Sequence, residues 1–175
     1  MPTQQSAARS ADEPGFGPRP GESGGEVCRL VRDPIDGAAV LAAVAAVAAP
    51  EAGGNVLFLG STRGVTAGVT TLGLDYEAHE PLALAMLRDL AAEAVRRFGL
   101  CGCRIVHRLG RVAVGEASIA IAASSPHRRE AFAATEWLLE RIKTTVPIWK
   151  CEEGHDGVRS WVHPGDMRTG LGGGE

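Results

Sequence analysis

Two long segments with helical periodicity, each followed by a pair of strand-like segments, constrain the fold more than any other feature of this sequence. They span residues 81–98 and 126–143, and both place apolar residues three and four positions apart. A shorter periodic segment, 36–49, precedes them and predicts an amphipathic helix with Val40, Leu41, Val44 and Val47 on its inner side. Because helices alternate with strand pairs, the order predicts an α+β domain with a mostly antiparallel sheet and two or three packed helices.

The predicted strands are short apolar or β-branched runs that end at glycine, proline or polar clusters. They cover residues 55–62, 71–76, 104–109, 118–124, 146–152 and 158–163. Residues 110–115 fit either a short strand or a turn, and the sequence GVTAGVT at 64–70 predicts a flexible loop. The second long helix is expected to begin at Ser124-Ser125-Pro126, with a serine cap and Pro126 at its first position.

Size and charge limit the classes of function. The chain has 175 residues, of which 22% are charged, and a formal net charge of −3, which argues against a general nucleic-acid or membrane-surface binder. We expect residues 1–26 to be a disordered leader, 27–164 to be one domain, and 165–175 to be a flexible glycine-rich tail. A signal segment and a bilayer-length apolar run are both missing from this sequence, which favours a cytoplasmic location.

The four cysteines do not have the spacing of a metal site. Cys101 and Cys103 form a CxC motif, but no second cysteine or histidine pair accompanies it. We interpret these two, with Cys28 and Cys151, as reduced structural thiols and predict neither a metal nor a cofactor.

Lysine is rare in this chain, and its position is informative. Of the 18 basic residues only Lys143 and Lys150 are lysines, and both lie in the segment KTTVPIWK. A partly buried lysine can lose its proton and act as a base or nucleophile, whereas arginine stays charged. The pair is therefore predicted to be catalytic, although Lys143 would also suit the end of a helix dipole and Lys150 the edge of a sheet.

Three further residues could bind an anion. Arg63 follows a predicted strand and faces either a pocket or solvent, while His127 and Arg128 stand in the first turn of the second long helix. The 16 residues from His127 to Lys143 span ~24 Å of helix, too far for one compact pocket in one subunit. Either there are two sites, or a symmetric dimer brings one chain's helix start to the other chain's lysines.

Four motifs together resemble one family, the catalytic (large) subunit of molybdopterin synthase. They are NVLFLGSTR (55–63), LDYEAHEPLA (74–83), IVHRLGRVAVGEASIAIAASSPHRREAF (105–132) and LLERIKTTVPIWK (138–150). The resemblance implies an α/β-hammerhead fold and a homodimer at the centre of a heterotetramer. It also implies a small ubiquitin-like subunit whose Gly-Gly thiocarboxylate supplies sulfur to cyclic pyranopterin monophosphate, giving the dithiolene of molybdopterin.

The resemblance assigns roles to the candidate residues. Lys143 matches the family's principal active-site lysine and Lys150 the second, while Arg63 and Phe58 match residues of the substrate pocket. Whether Lys143 acts covalently or as an acid and base stays open.

The resemblance also covers the histidine–arginine pair of SPHR, but two segments of the chain differ from the family pattern. His127 and Arg128 match the pair that reaches the neighbouring subunit's pocket. The loop 64–70 lacks the family's polar stretch, and VHPGD after Trp161 lacks a basic residue, for which Arg168 is a candidate replacement. These departures keep an alternative open, a non-catalytic homologue that binds the ubiquitin-like partner without efficient turnover.

Overall fold

The computed structural model describes residues 27–66, 69–154 and 159–162. In chain order these residues form β1 (Cys28–Val31), α1 (Gly37–Ala48), β2 (Gly54–Ser61), β3 (Val65–Thr66), β4 (Val69–Ala78), α2 (Glu80–Phe98), β5 (Gly102–Arg108), β6 (Gly110–Ala113), β7 (Ala117–Ser125), α3 (Arg128–Thr145), β8 (Ile148–Gly154) and β9 (Arg159–Val162). The predicted α+β class is confirmed. The expected leader, 1–26, and tail, 165–175, lie outside the described residues.

The described strands form two sheets. The first has the order β1-β5-β7-β2, in which β1 runs parallel to β5 and the other neighbours are antiparallel. The second has the order β3-β4-β8-β9, with β6 also paired to β4, and all its pairs are antiparallel. The strand β1 was not predicted, since its four residues are too few to show a period.

The hydrophobic core lies between the first sheet and the two long helices. Leu87 of α2 and Leu138 of α3 are fully buried and pack in one cluster with Ile121 of β7. The neighbouring β7 residues Ala120 and Ala122 point to the opposite face and are equally buried. Because α1 packs against β5 and β7 there, the first sheet is covered on both faces.

The shortest helix, α1, lies very close to the first sheet. A Cβ added at Gly102 of β5 would come within 3.0 Å of Val44 Cγ2, so glycine permits α1 to lie this close. Val44 is buried as expected, but the expectation for Val47 was wrong, because 43% of its surface is exposed. The next residue, Ala48, occupies the buried position instead.

Both ends of α2 have local sequence causes. The His79 side chain accepts a hydrogen bond from the Leu82 backbone N–H, and Pro81 stands in the first turn. Gly99 ends the helix in the left-handed conformation at φ 60°, and its N–H donates to the Val95 carbonyl. In the described part of the chain, no helix combines the length and apolarity needed to cross a bilayer.

The predicted start of α3 was wrong by two residues. Ser124 and Ser125 remain in β7, where they pair with Asn55 and Gly54 of β2, and the helix begins at Arg128. His127 occupies the capping position without a side-chain hydrogen bond. The serine hydroxyls are used elsewhere, since that of Ser125 donates to the carbonyl of His127. Strand pairing therefore took precedence over the local capping signal.

Two other expectations changed. The segment 64–70 was predicted to be a loop, but β3 pairs with the start of β4, Val65 opposite Thr70. The uncertain segment 110–115 contains the strand β6, which uses the edge of β4. The predicted C-terminal hairpin is confirmed by the pairing of β8 with β9, while its turn lies outside the described residues.

Two leucines of α2 test where the core lies. Leu87 has no exposed surface, whereas 48% of Leu82 is exposed. We expect Leu87→Ala to lower the free energy of unfolding by about 2–5 kcal/mol, because it removes buried methylenes and leaves a cavity. Leu82→Ala is the matched control and should change it by less than about 1 kcal/mol. Denaturant unfolding of both variants measures the difference, and equal effects would contradict the proposed packing.

Candidate functional site

A cavity of about 500 Å³ opens where the two sheets and the C-terminal end of α3 meet. The first sheet contributes residues of β2, β5 and β7 to its wall, and the second sheet contributes residues of β4 and β8. The last two turns of α3 close one side with Leu139, Ile142 and Lys143. Its volume suits a small organic molecule or the end of a peptide.

Four of the six predicted site residues line this cavity. Lys143, Lys150, Arg63 and Phe58 come from four separate elements or loops, so only the tertiary fold brings them together. Three of the four are cations. Their convergence makes the cavity a site for an anionic ligand although the whole chain carries a net charge of −3.

The alternation of β8 places Lys150 in the cavity. Ile148, Lys150 and Glu152 all line it, as the period of two predicts, whereas Trp149 and Cys151 do not. The Lys150 ammonium lies 2.7 Å from the Glu152 carboxylate, and only 22% of the lysine side chain is exposed. The ion pair therefore fixes the ammonium at the cavity wall.

Lys143 and Arg63 are exposed at the cavity's edge. Lys143 lies in the last turn of α3, where the helix dipole favours a cation. Arg63 follows Thr62, whose backbone position is fixed because its N–H donates to the Glu116 carbonyl at 2.9 Å. Both cations can therefore turn toward an anion entering from solvent.

His127 and Arg128 stand at the opposite end of α3 and do not line the cavity. Both are exposed, and the helix between His127 and Lys143 is about 24 Å long. One chain therefore does not bring all six predicted residues together. The choice between two sites and a pocket shared by two copies remains as the sequence left it.

The polar residues of the cavity that were not predicted include Tyr76, His107 and Ser118. The Tyr76 hydroxyl donates to the Ser118 hydroxyl at 3.2 Å, and the rings of Tyr76 and His107 meet edge to face at 5.1 Å. They lie on β4, β7 and β5, within the motifs used for the family resemblance. Nothing in the local sequence distinguishes them from core residues, because their convergence requires both sheets.

The thiols are not part of this site. Burial raises the pKa of the Cys103 thiol to about 12, which keeps it protonated and unreactive. Burial also raises the pKa of Cys101, and Cys151 is buried on the face of β8 that points away from the cavity. Within the described ranges, no three His, Cys, Asp or Glu side chains are grouped so that they could hold a metal ion.

The fold and the cavity define a class, an α+β protein in which two lysines and an arginine line a cavity between two sheets that could hold a small anion. Comparison with known proteins identifies the family within this class. Residues 30–145 match the family described as MoaE protein. The chain therefore belongs to the MoaE protein family.

Sequence relatives agree with this membership. The molybdopterin synthase catalytic subunit of Emericella nidulans is 46% identical over 115 residues, 66% of this chain and 59% of the relative. That of Coccidioides immitis is 54% identical over 104 residues, 59% of this chain and 53% of the relative. That of Bacillus subtilis is 45% identical over 112 residues, 64% of this chain and 71% of the relative. The chain thus spans between half and three quarters of these relatives.

Solved structures show the same fold. The crystal structure of molybdopterin synthase from Staphylococcus aureus has a TM-score of 0.70 and 36% identity, covering 76% of this chain and 94% of that one. A molybdopterin biosynthesis MoaE protein from Burkholderia ambifaria has a TM-score of 0.66 and 31% identity, covering 78% and 88%. The predicted fold class is thereby confirmed by comparison as well as by the elements themselves.

The buried histidine of the cavity predicts a pH dependence of stability. Burial lowers the pKa of His107 from 6.5 to about 4, so the unfolded chain binds this proton more readily. The contribution of neutral His107 to the free energy of unfolding is fully present above about pH 6.5. It decreases as the pH falls toward about 4. Between pH 7 and pH 5 the loss is about 2 kcal/mol.

Denaturant unfolding at both pH values, in the wild type and in His107→Gln, measures this contribution. The variant should lose about 2 kcal/mol less than the wild type on acidification, whatever its absolute stability. An identical pH dependence of the two proteins would show that the His107 pKa is not lowered by folding.

Proposed function

We propose that this protein is a molybdopterin synthase catalytic subunit. It would transfer sulfur from the C-terminal thiocarboxylate of a small ubiquitin-like subunit to cyclic pyranopterin monophosphate and so form the dithiolene of molybdopterin. The observation that carries the proposal is the meeting of Lys143, Lys150 and Arg63 in one cavity. These are the chain's only two lysines, together with the arginine that the family resemblance selects.

The cavity has the groups that this sulfur transfer needs. The thiocarboxylate sulfur would bond to the substrate as a thioester, and water would then cleave the acyl C–S bond, leaving the sulfur on the substrate and releasing the small subunit as a carboxylate. The tetrahedral state of that cleavage has negative charge on oxygen, which a nearby ammonium stabilises. A proton must also be delivered to or removed from the reacting groups. We assign the principal role to Lys143, whose ammonium is at the open edge, and thiocarboxylate or substrate positioning to Lys150, which Glu152 holds in place.

Phosphate binding accounts for the remaining cations. Arg63 at the cavity edge would hold the substrate's phosphate, since its planar guanidinium can donate two parallel hydrogen bonds. His127 and Arg128 are too far along α3 to reach the same ligand within one chain. We propose that a second copy supplies them, so that a homodimer contains two shared pockets.

The small subunit completes the proposed assembly. Its Gly-Gly terminus is narrow enough to enter a cavity of this size, where Phe58 and Ile148 supply apolar wall. Two such subunits on a central homodimer would give a heterotetramer. A solved complex of subunits 1 and 2 of the molybdopterin-converting factor from Helicobacter pylori shares the fold, with a TM-score of 0.65 at 23% identity. We further propose a cytoplasmic location for this assembly.

Replacing the principal lysine tests the assignment. We expect Lys143→Ala to reduce molybdopterin formation by at least about 100-fold, because it removes the ammonium and the proton carrier together. Arg141→Ala is a matched control, since Arg141 is an exposed cation on the same helix that does not line the cavity. The assay uses the full chain, a thiocarboxylated small subunit and cyclic pyranopterin monophosphate.

Two outcomes of this assay would contradict the proposal in different ways. Full activity of Lys143→Ala would remove that residue from the mechanism. A wild type that binds the small subunit but forms no product would favour the alternative, a non-catalytic homologue.

Mixing two inactive variants tests the shared pocket. We expect Lys143→Ala and Arg128→Ala each to be weakly active, and the refolded mixture to recover up to about one quarter of wild-type activity. Half of the dimers are then mixed, and each has one pocket with both Lys143 and Arg128 intact. If both residues act within one chain, no chain in the mixture is complete and activity does not recover. Light scattering of each sample confirms that the dimers form.

A further inference from the structure

The cavity has a cationic side and a neutral side, which adjoin where Tyr76 pairs with Lys150 across β4 and β8. Lys143, Lys150 and Arg63 form the cationic side. The neutral side consists of Tyr76 and His107, whose rings touch, together with the Ser118 hydroxyl. A ligand that fills this space must have an anionic part and a neutral part with hydrogen-bonding groups.

The direction of the hydrogen bonds on the neutral side follows from the carbonyl at its end. The Ser118 hydroxyl lies 3.2 Å from the Gly60 carbonyl, which can only accept, so the serine proton points there. The Tyr76 hydroxyl, 3.2 Å from Ser118, must therefore donate to the serine oxygen. With its single proton used, the tyrosine oxygen has only lone pairs left for a ligand.

The histidine is fixed in the same way. Its Nδ1 lies 2.9 Å from the carbonyl of Arg108, and only an Nδ1–H can make that hydrogen bond. The other ring nitrogen, Nε2, then carries a lone pair, because the buried ring is neutral at physiological pH. His107, like Tyr76, can accept but not donate a further hydrogen bond.

We propose that Tyr76 and His107 form an acceptor subsite that binds the N–H donor edge of the substrate's pterin ring, the exocyclic amino group and the adjacent ring N–H. The adjoining cations, Arg63, Lys143 and Lys150, then hold the phosphate. This inference rests on the proposed function and adds to it the orientation of the substrate. If a carbonyl oxygen replaced the amino group, that oxygen would face the acceptor atoms of Tyr76 and His107. Such a ring would therefore bind more weakly.

Neighbouring groups agree with this polarity. The Glu152 carboxylate, which also lines the cavity and lies close enough to Tyr76 to help raise the pKa of its phenol, is a further acceptor. Phe58 and Ile119 supply apolar surface for the faces of a flat ring. Acceptors are thus concentrated around Tyr76, while the Ser61 and Thr71 hydroxyls elsewhere in the lining can donate as well as accept.

Binding of two simple probes to the full chain tests the subsite without turnover. Pterin has the 2-amino group, whereas lumazine has an oxygen in its place, and both are fluorescent. We expect the wild type to bind pterin about tenfold more tightly than lumazine, because lumazine sets an oxygen against the tyrosine and histidine lone pairs. Equal affinities, or no pterin binding by the folded wild type, would overturn the proposal.

Two variants separate hydrogen bonding from shape. Tyr76→Phe keeps the ring against His107 but removes the acceptor, and should reduce the preference for pterin to less than about threefold. Ser118→Ala leaves the tyrosine oxygen in place but frees its proton, so that Tyr76 can donate to lumazine and the preference should also fall. Ser160→Ala, a hydroxyl deletion on exposed β9, is the matched control and should keep the wild-type preference. An unchanged preference in Tyr76→Phe would overturn the proposal.

A spectroscopic measurement adds an independent readout. Tyr76 is the only tyrosine of the chain, so a protein labelled with ¹³C at tyrosine Cζ gives one resonance. Pterin, which bonds to the tyrosine oxygen in our proposal, should shift this resonance more than inorganic phosphate, which is expected to bind only the cations. The reverse pattern would contradict the subsite.

The subsite and the proposed function can fail separately. A wild type that discriminates pterin from lumazine but forms no molybdopterin would sink the function and keep the subsite. Product formation by the wild type with a pterin preference that Tyr76→Phe does not change would keep the function and sink the subsite.

Discussion

The burial of β7 is the constraint on which the rest of the structure depends. It lies between β5 and β2 in the first sheet, and every residue from Ser118 to Ser125 is buried because helices cover both faces. Its ladders hold β2, which leads to Arg63, and β5, which carries His107. The strand also leads directly into α3, so its position determines where the last turn of that helix, with Lys143, meets the second sheet.

The two-residue period of β8 and the position of the end of α3 together determine where the charged groups of the cavity lie. The period of β8 turns Lys150 and Glu152 to one side, and their ion pair limits where the ammonium can be. The end of α3 brings Lys143 to the same opening, and Tyr76 of the proposed acceptor pair faces Lys150 across β4 and β8. In our proposal, the cations and the acceptors together orient a substrate that has a phosphate and an amino-substituted ring.

Local sequence was sufficient where one interaction decided the outcome. The bounds of α2 follow from His79, Pro81 and Gly99, and the inner positions of α3 follow from its period. It failed where a distant partner competed with a local signal. The serines before α3 look like caps but pair with β2, and GVTAGVT looks like a loop although β3 pairs with β4 across it. Val47 fits the helical period of α1, yet Ala48 is buried because the helix approaches Gly102 so closely.

The sequence alone determined the α+β class, the three helices and the family. It also selected Lys143, Lys150, Arg63 and Phe58, because rare residue types and long motifs leave a signal that does not depend on neighbours in space. Only the tertiary structure joined those four residues in one cavity and left His127 and Arg128 outside it. Only the tertiary structure, too, made acceptors of Tyr76 and His107. The Gly60 carbonyl that takes up the Ser118 proton lies on β2, far from Ser118 in sequence. The Arg108 carbonyl that takes up the His107 proton is on the next residue, but only the fold turns the buried ring toward it.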